Sequence, residues 1–118
     1  MTKDYGSMAC EACVPGAPQA ALAEVDAFLK DHPGWERAMV DGIPRVRRSY
    51  RFPDFRSALA FADAVGALAE AQGHHPALLV EWGGATVSWW THKIQGIHVN
   101  DLIMAARTDA ACAAARAA

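Results

Sequence analysis

Apolar residues recur along the chain in two rhythms, one of three to four residues and one of two, and their order predicts the elements. From Pro18 to Asp31, Leu22, Val25, Phe28 and Leu29 share one face of an amphipathic helix. His32-Pro33-Gly34 ends it, because proline and glycine both interrupt regular structure. Trp35 to Val40 reads as a strand, Asp41-Gly42 as a hairpin turn, and Arg45 to Phe52 as the returning strand. In that strand Val46, Arg48, Tyr50 and Phe52 alternate with Arg45, Arg47, Ser49 and Arg51, and the second set reads as the wet face. Arg48 fits the dry face badly and is expected near an edge or with its stem packed. The arginines of the wet face admit an anion site, but a solvated strand face is the simpler reading.

Pro53-Asp54 opens a second helix with Asp54 as its N-cap. Phe55, Leu59, Ala62, Val65 and Ala69 follow at spacings of three and four, which predicts one face packed on the sheet. The pattern stops near Ala71, before Gly73. Ala77 to Trp82 and Ala85 to Thr91 form two more strands, joined across Gly83-Gly84, a pair that tolerates positive φ. A third helix starts near His98 to Asn100 and carries Leu102, Ile103 and Ala106, and the alanine-rich end extends or frays it. The order α-β-β-α-β-β-α, with strands in hairpin pairs, predicts an α+β fold. Its expected form is a four-stranded antiparallel sheet with helices packed on one face.

At 118 residues the chain fits one domain. Residues 1–17 read as a flexible N-terminal extension and 18–118 as the domain proper. The hydrophobic share of 53% includes many alanines, each burying little area, so the core rests on the four Phe, the four Trp and the branched aliphatics. A net charge of −2 offers no excess of positive charge for a phosphate backbone, which argues against direct binding of nucleic acid. No apolar run approaches the roughly 20 residues that span a bilayer. The segment from Met1 to Pro18 lacks the basic-then-apolar order of a signal peptide. A cytoplasmic protein without a membrane partner is expected. Cys10, Cys13 and Cys112 make no disulfide framework, and Cys10-x-x-Cys13 has neither a second such pair nor a buried strand before it.

Chemistry gathers at His74, His75 and His92. His74-His75-Pro76 follows Gly73 at the foot of the second helix, and His92 ends the fourth strand. Adjacent side chains in a strand point to opposite faces, so two neighbouring histidines share a site only where the backbone turns, as Gly and Pro allow here. In an antiparallel hairpin the end of one strand lies beside the start of the other, so Thr91 and His92 should return to His74 and His75. Three imidazoles suggest zinc, but adjacent histidines chelate poorly and no i, i+4 pair occurs. Acid–base work near neutral pH needs no metal. Trp82, Trp89 and Trp90 read as core or interface residues, although Trp89 and Trp90 must face opposite ways, leaving one to line the pocket or a subunit contact. There is no glycine-rich phosphate loop, Gly-x-Ser-x-Gly elbow or Rossmann fingerprint.

The run Glu70-Ala-Gln-Gly-His74-His75-Pro76, followed by Trp82, His92 and Asp101, resembles the motif of the pterin-4a-carbinolamine dehydratases, and the likeness extends from about Ala20 to Thr108. The resemblance implies removal of water from 4a-hydroxytetrahydropterin to give quinonoid dihydropterin, recycling the cofactor of aromatic amino acid hydroxylases. It implies His74 and His92 as the acid–base pair, His75 mainly holding the pterin, and Glu70 orienting a histidine. Pro76, Thr91 and Asp101 would shape the substrate site, although an acidic residue near a helix start is favoured in any case. It implies no cofactor besides the pterin substrate and no metal. A homodimer or homotetramer and a phenylalanine hydroxylase as cellular partner also follow from it. The alternative it leaves is a non-catalytic dimerisation or coactivator-type binding module on the same fold.

Overall fold

The two hairpins join into one sheet. β1 (Glu36–Val40) pairs with β2 (Ile43–Arg51), and β3 (Ala77–Glu81) with β4 (Gly84–Trp89), all antiparallel. β2 and β4 then pair through Val46–Trp89 to Arg51–Gly84, giving the order β1-β2-β4-β3. This computed structural model describes residues 4–10 and 16–117, so Cys13 and Met1 lie outside the described residues. Three helices complete the α+β fold: α1 (Leu22–Asp31), α2 (Phe55–Gln72) and α3 (Val99–Ala117). No helix among the described residues is long and apolar enough to cross a membrane.

Alternation along the strands decides which side chains reach the helices. Val46 and Tyr50 of β2, with Ala85, Val87 and Trp89 of β4, are buried beneath them. Phe28 of α1, Phe61 and Val65 of α2, and Leu102, Ile103 and Met104 of α3 close the core from above. Each of the large side chains contributes roughly 1.5–3 kcal/mol by leaving water. Trp89 is fully buried, and its indole N–H donates to Thr108 Oγ1 at 3.1 Å, so its one polar group is satisfied.

Four expectations need correction. α1 begins at Leu22 rather than Pro18, because Ala20 N–H donates to Ile97 O at 2.8 Å and holds the lead-in extended. Phe55 and Leu59 are not on the packed face of α2; they are 44% and 50% exposed. The buried stripe is Ala58, Phe61, Ala62, Val65 and Ala69, centred on Phe61, which meets Tyr50 and Phe52 at 4.7 and 5.2 Å between ring centres. Of the two places expected for Arg48 the edge is wrong and the packed side chain holds: it is on a central strand, its guanidinium carbon 4.7 Å from the Tyr50 ring centre. Its guanidinium reaches Asp109 at 2.9 Å instead of water, and a carboxylate supplied by α3 was not visible from strand alternation. The fourth strand stops at Trp89, before Thr91 and His92.

Within the segment read as an extension, residues 4–10 lie against the helices. Tyr5 is buried, meets Phe28 edge-on, and donates its hydroxyl to Glu24 at 2.8 Å. Arg107 donates to Met8 O, and Cys10 N–H donates to Gln72 Oε1 at 3.1 Å.

Candidate active site

α2 ends in a turn that places the two adjacent histidines on different sides. Gly73 sits at φ 63°, the left-handed conformation that glycine adopts without penalty. His74 N–H donates to Ala69 O at 3.1 Å and Gly73 N–H to Glu70 O at 3.3 Å, the paired bonds of a Schellman ending. After this turn His74 points inward and is 7% exposed, whereas His75 is exposed.

Beyond β4 the chain makes a pinched loop. Thr91 N–H donates to Gly96 O at 2.8 Å, and Gly96 N–H returns to Thr91 O at 3.4 Å. His92 therefore opens a short 3-10 turn (His92–Ile94) instead of ending a strand, and its ring is exposed. The hairpin still returns it to the foot of α2. Gly73, His74, His75, Thr91, His92 and Lys93 line a single cleft of about 200 Å³.

The start of α3 supplies the group beneath that cleft. His98 acts as N-cap: its Nδ1 accepts from Asn100 N–H at 3.0 Å, so that nitrogen carries no proton. Asp101, three residues on, reaches back to accept His98 N–H at 2.8 Å, the reciprocal half of a capping box. The same carboxylate accepts the Thr91 hydroxyl at 2.8 Å and His74 Nε2 at 2.6 Å. A fully buried carboxylate needs such donors to offset its lost hydration. Since a carboxylate only accepts, His74 Nε2 carries a proton and Nδ1 remains for exchange with a ligand. Below, the His74 ring stacks on Trp89 at 5.6 Å and 11° between planes.

Glu70 plays a wetter version of this part. It lies on the last turn of α2, and its Oε2 accepts His75 Nε2 at 2.8 Å, both side chains being largely exposed. The His92 ring has no hydrogen-bond partner among the described residues and lies 4.6 Å from that of Trp90. The three histidines thus differ: one locked from beneath, one loosely tethered, one held only by ring contact. Such a set can accept a proton at one point of a bound molecule and donate one at another. Among the described residues, no three His, Cys, Asp or Glu side chains are placed to hold a metal ion.

The cleft gathers His74, His75, Thr91 and His92, with Glu70 and Asp101 each one hydrogen bond behind. Pro76 leads into β3 and is not among the lining residues. Trp82 is 78% exposed at the β3–β4 turn, the far end of the hairpin from the histidines. Lys93 and His98 are absent from the sequence reading, which takes Trp89 only as a core, interface or pocket residue. Trp89 and His98 carry out stacking and capping roles that residue type alone does not announce. Lys93 adjoins His92 and could have been taken with it. Cys10 is not among the residues lining the cleft, and burial pushes its thiol up to about 11.

The model of the family described as "Pterin 4 alpha carbinolamine dehydratase" matches residues 18–111. A protein of Syntrophotalea carbinolica, provisionally named a pterin-4-alpha-carbinolamine dehydratase, is 54% identical over 101 residues, covering 86% of this chain and 90% of that one. One from Marinobacter nauticus with the same provisional name is 53% identical over 106 residues, covering 90% and 96%. Among solved structures, a transcriptional coactivator/pterin dehydratase from Brucella melitensis superposes with a TM-score of 0.71 at 29% identity, covering 80% of this chain and 98% of that one. A pterin dehydratase-like protein described as a RuBisCO assembly factor of the alpha-carboxysome shares the fold, with a TM-score of 0.56 at 23% identity over 66% of this chain and 88% of its own. The chain belongs to the pterin 4 alpha carbinolamine dehydratase family.

Proposed function

We propose that this protein is a hydro-lyase that eliminates water from 4a-hydroxytetrahydropterin, giving quinonoid dihydropterin. The observation that carries this reading is the buried Asp101–His74 pair facing a cleft shared with His75 and His92. In the reaction the C4a–O bond breaks, the hydroxyl leaves as water after gaining a proton, and a ring nitrogen gives one up. One base and one acid suffice, and His74 and His92 fill those roles. His75, steadied by Glu70, holds the pterin, while Thr91 and Pro76 shape its surroundings. Asp101 presents His74 in one tautomer, which is a positioning role. No metal or further cofactor enters this proposal, since the elimination needs only a base and an acid, and imidazoles supply both.

In the cell the reaction recycles the pterin cofactor of an aromatic amino acid hydroxylase such as phenylalanine hydroxylase, in the cytoplasm. A homodimer or homotetramer is part of the same proposal. Its support is the exposed apolar set on edge strand β3 and its turn (Leu78, Leu79, Trp82) and on α2 (Phe55, Leu59). A monomer mass by light scattering at micromolar concentration would count against it. The exposed apolar set suits a coactivator-type binding module equally well, and what favours the dehydratase reading is the histidine cleft, which a binding module does not need.

The test is water loss from freshly generated 4a-carbinolamine, followed with chelator present for the wild type, His74→Ala and His92→Ala. Acceleration by the wild type that falls on the order of 100-fold or more in both variants is expected. A folded wild type that does not accelerate the reaction would sink the proposal.

A further inference from the structure

Beside the cleft, Arg45 is held by a ring rather than by an oxygen acceptor. Arg37, Arg47, Arg48, Arg107 and Arg116 each donate to a carboxylate or carbonyl oxygen. Arg45 is half-buried with neither, and its Nε is a buried donor without a partner among the described residues. Burial of an unmatched donor is costly, of the order of 1–3 kcal/mol, so the arrangement calls for an explanation. What holds the side chain is Trp90: the guanidinium carbon lies 3.7 Å from the centre of that ring. The two residues face each other across β2 and β4, one step beyond the Val46–Trp89 pair. Trp90 in turn touches His92, which lines the cleft together with Lys93.

Stacking fixes the plane of a guanidinium while leaving its outer N–H groups to act as a fork for a carboxylate or phosphate. Lys93 lines the cleft, Arg45 adjoins it through Trp90 and His92, and Glu70 is turned to His75. Resting on the dehydratase reading, we propose that Arg45 is a specificity residue. The pterin taken by this cleft carries an anionic group, carboxylate or phosphate, on its side chain, and the Arg45–Trp90 stack receives it.

Calorimetric titration of three stable dihydropterins tests this at low and at moderate salt. The probes are 7,8-dihydrobiopterin, whose side chain is neutral, 7,8-dihydrofolate, which carries carboxylates, and 7,8-dihydroneopterin monophosphate. The wild type should bind at least one anionic probe about tenfold or more tightly than the neutral one, with the advantage shrinking as salt rises. Which anionic probe wins distinguishes carboxylate from phosphate. Arg45→Gln should bring all three within about twofold of one another, and Arg45→Lys should keep part of the preference. Equal or tighter binding of the neutral probe by the wild type overturns the proposal whatever the variants do. An unchanged ratio in Arg45→Gln does the same. Failure of every probe to bind would overturn the dehydratase reading as well, whereas a preference for the neutral probe leaves that reading standing.

Discussion

α3 carries two aspartates, eight residues apart, each serving as the hub of a polar cluster, and the two clusters hold different groups. Asp101 accepts from His98 N–H, the Thr91 hydroxyl and His74. Asp109 accepts from the Trp35 indole, the Arg48 guanidinium and the Tyr50 hydroxyl. Number and geometry of donors are alike. The difference is in what the donors can do: burial, then the Asp109 bond, pushes the Tyr50 hydroxyl far above its ordinary range, and a guanidinium is a donor only. Asp109 therefore pins β2 to α3, and although it also lines a cavity of about 450 Å³, the groups it holds there are poor proton carriers. Asp101 instead holds an imidazole, a side chain that can both take and give a proton, with its other face on a cleft. A buried carboxylate alone is no mark of chemistry; its partner and the opening beside that partner are.

Substitutions sharpen this contrast, beginning with the largest expected effect on stability. Asp101→Ala strands three buried donors and should lower the unfolding free energy by about 3–5 kcal/mol, read from urea melts. Asp109→Ala, in a cluster that is partly wet, should cost about 1–3 kcal/mol in the same experiment. If Asp109→Ala proved the more damaging of the two, the ranking by burial would be wrong.

Gly73→Ala meets no atom within 4 Å, so its cost is conformational only, about 1 kcal/mol for a left-handed residue with a Cβ. A thermal melt unchanged from wild type would show that the α2 ending does not depend on glycine. The smallest effect belongs to Asp54. The hydrogen bond with Ser57 holds its carboxyl below the usual range. A lowered folded-state value means stability that is present above the unfolded value and lost as pH falls through the folded one. Asp54→Ala should therefore lower the melting temperature slightly at neutral pH and flatten its fall on the acid side. An acid limb as steep as in the wild type would contradict this.

These contrasts also separate what was legible in the sequence from what was not. Element order, the Asp54 cap, both hairpins and the return of Thr91 and His92 to His74 follow from local chemistry: turn residues, caps and alternation act over a few positions. The packed stripe of α2 was placed too early because Phe55 and Leu59 look like core residues by type, and nothing local says that the sheet misses them. The edge expected for Arg48 was wrong for a related reason. Its partner Asp109 is 61 residues away, and long-range pairing leaves no periodic trace. Glu70 and Asp101 were named from the family motif, but their division of labour, one tethering an exposed histidine and one locking a buried one, depends on the Schellman turn and the capping box together.

The central claim is that the chemistry belongs to the cluster whose histidine faces the cleft, and it is tested most directly by one pair of isosteric variants. The rate of water loss from 4a-carbinolamine should be measured for Asp101→Asn and Asp109→Asn, each corrected to the folded fraction. The account predicts a fall on the order of 100-fold for Asp101→Asn, through loss of His74 orientation, and a rate within about twofold of wild type for Asp109→Asn. Equal losses in the two variants, or a fully active Asp101→Asn, would contradict it.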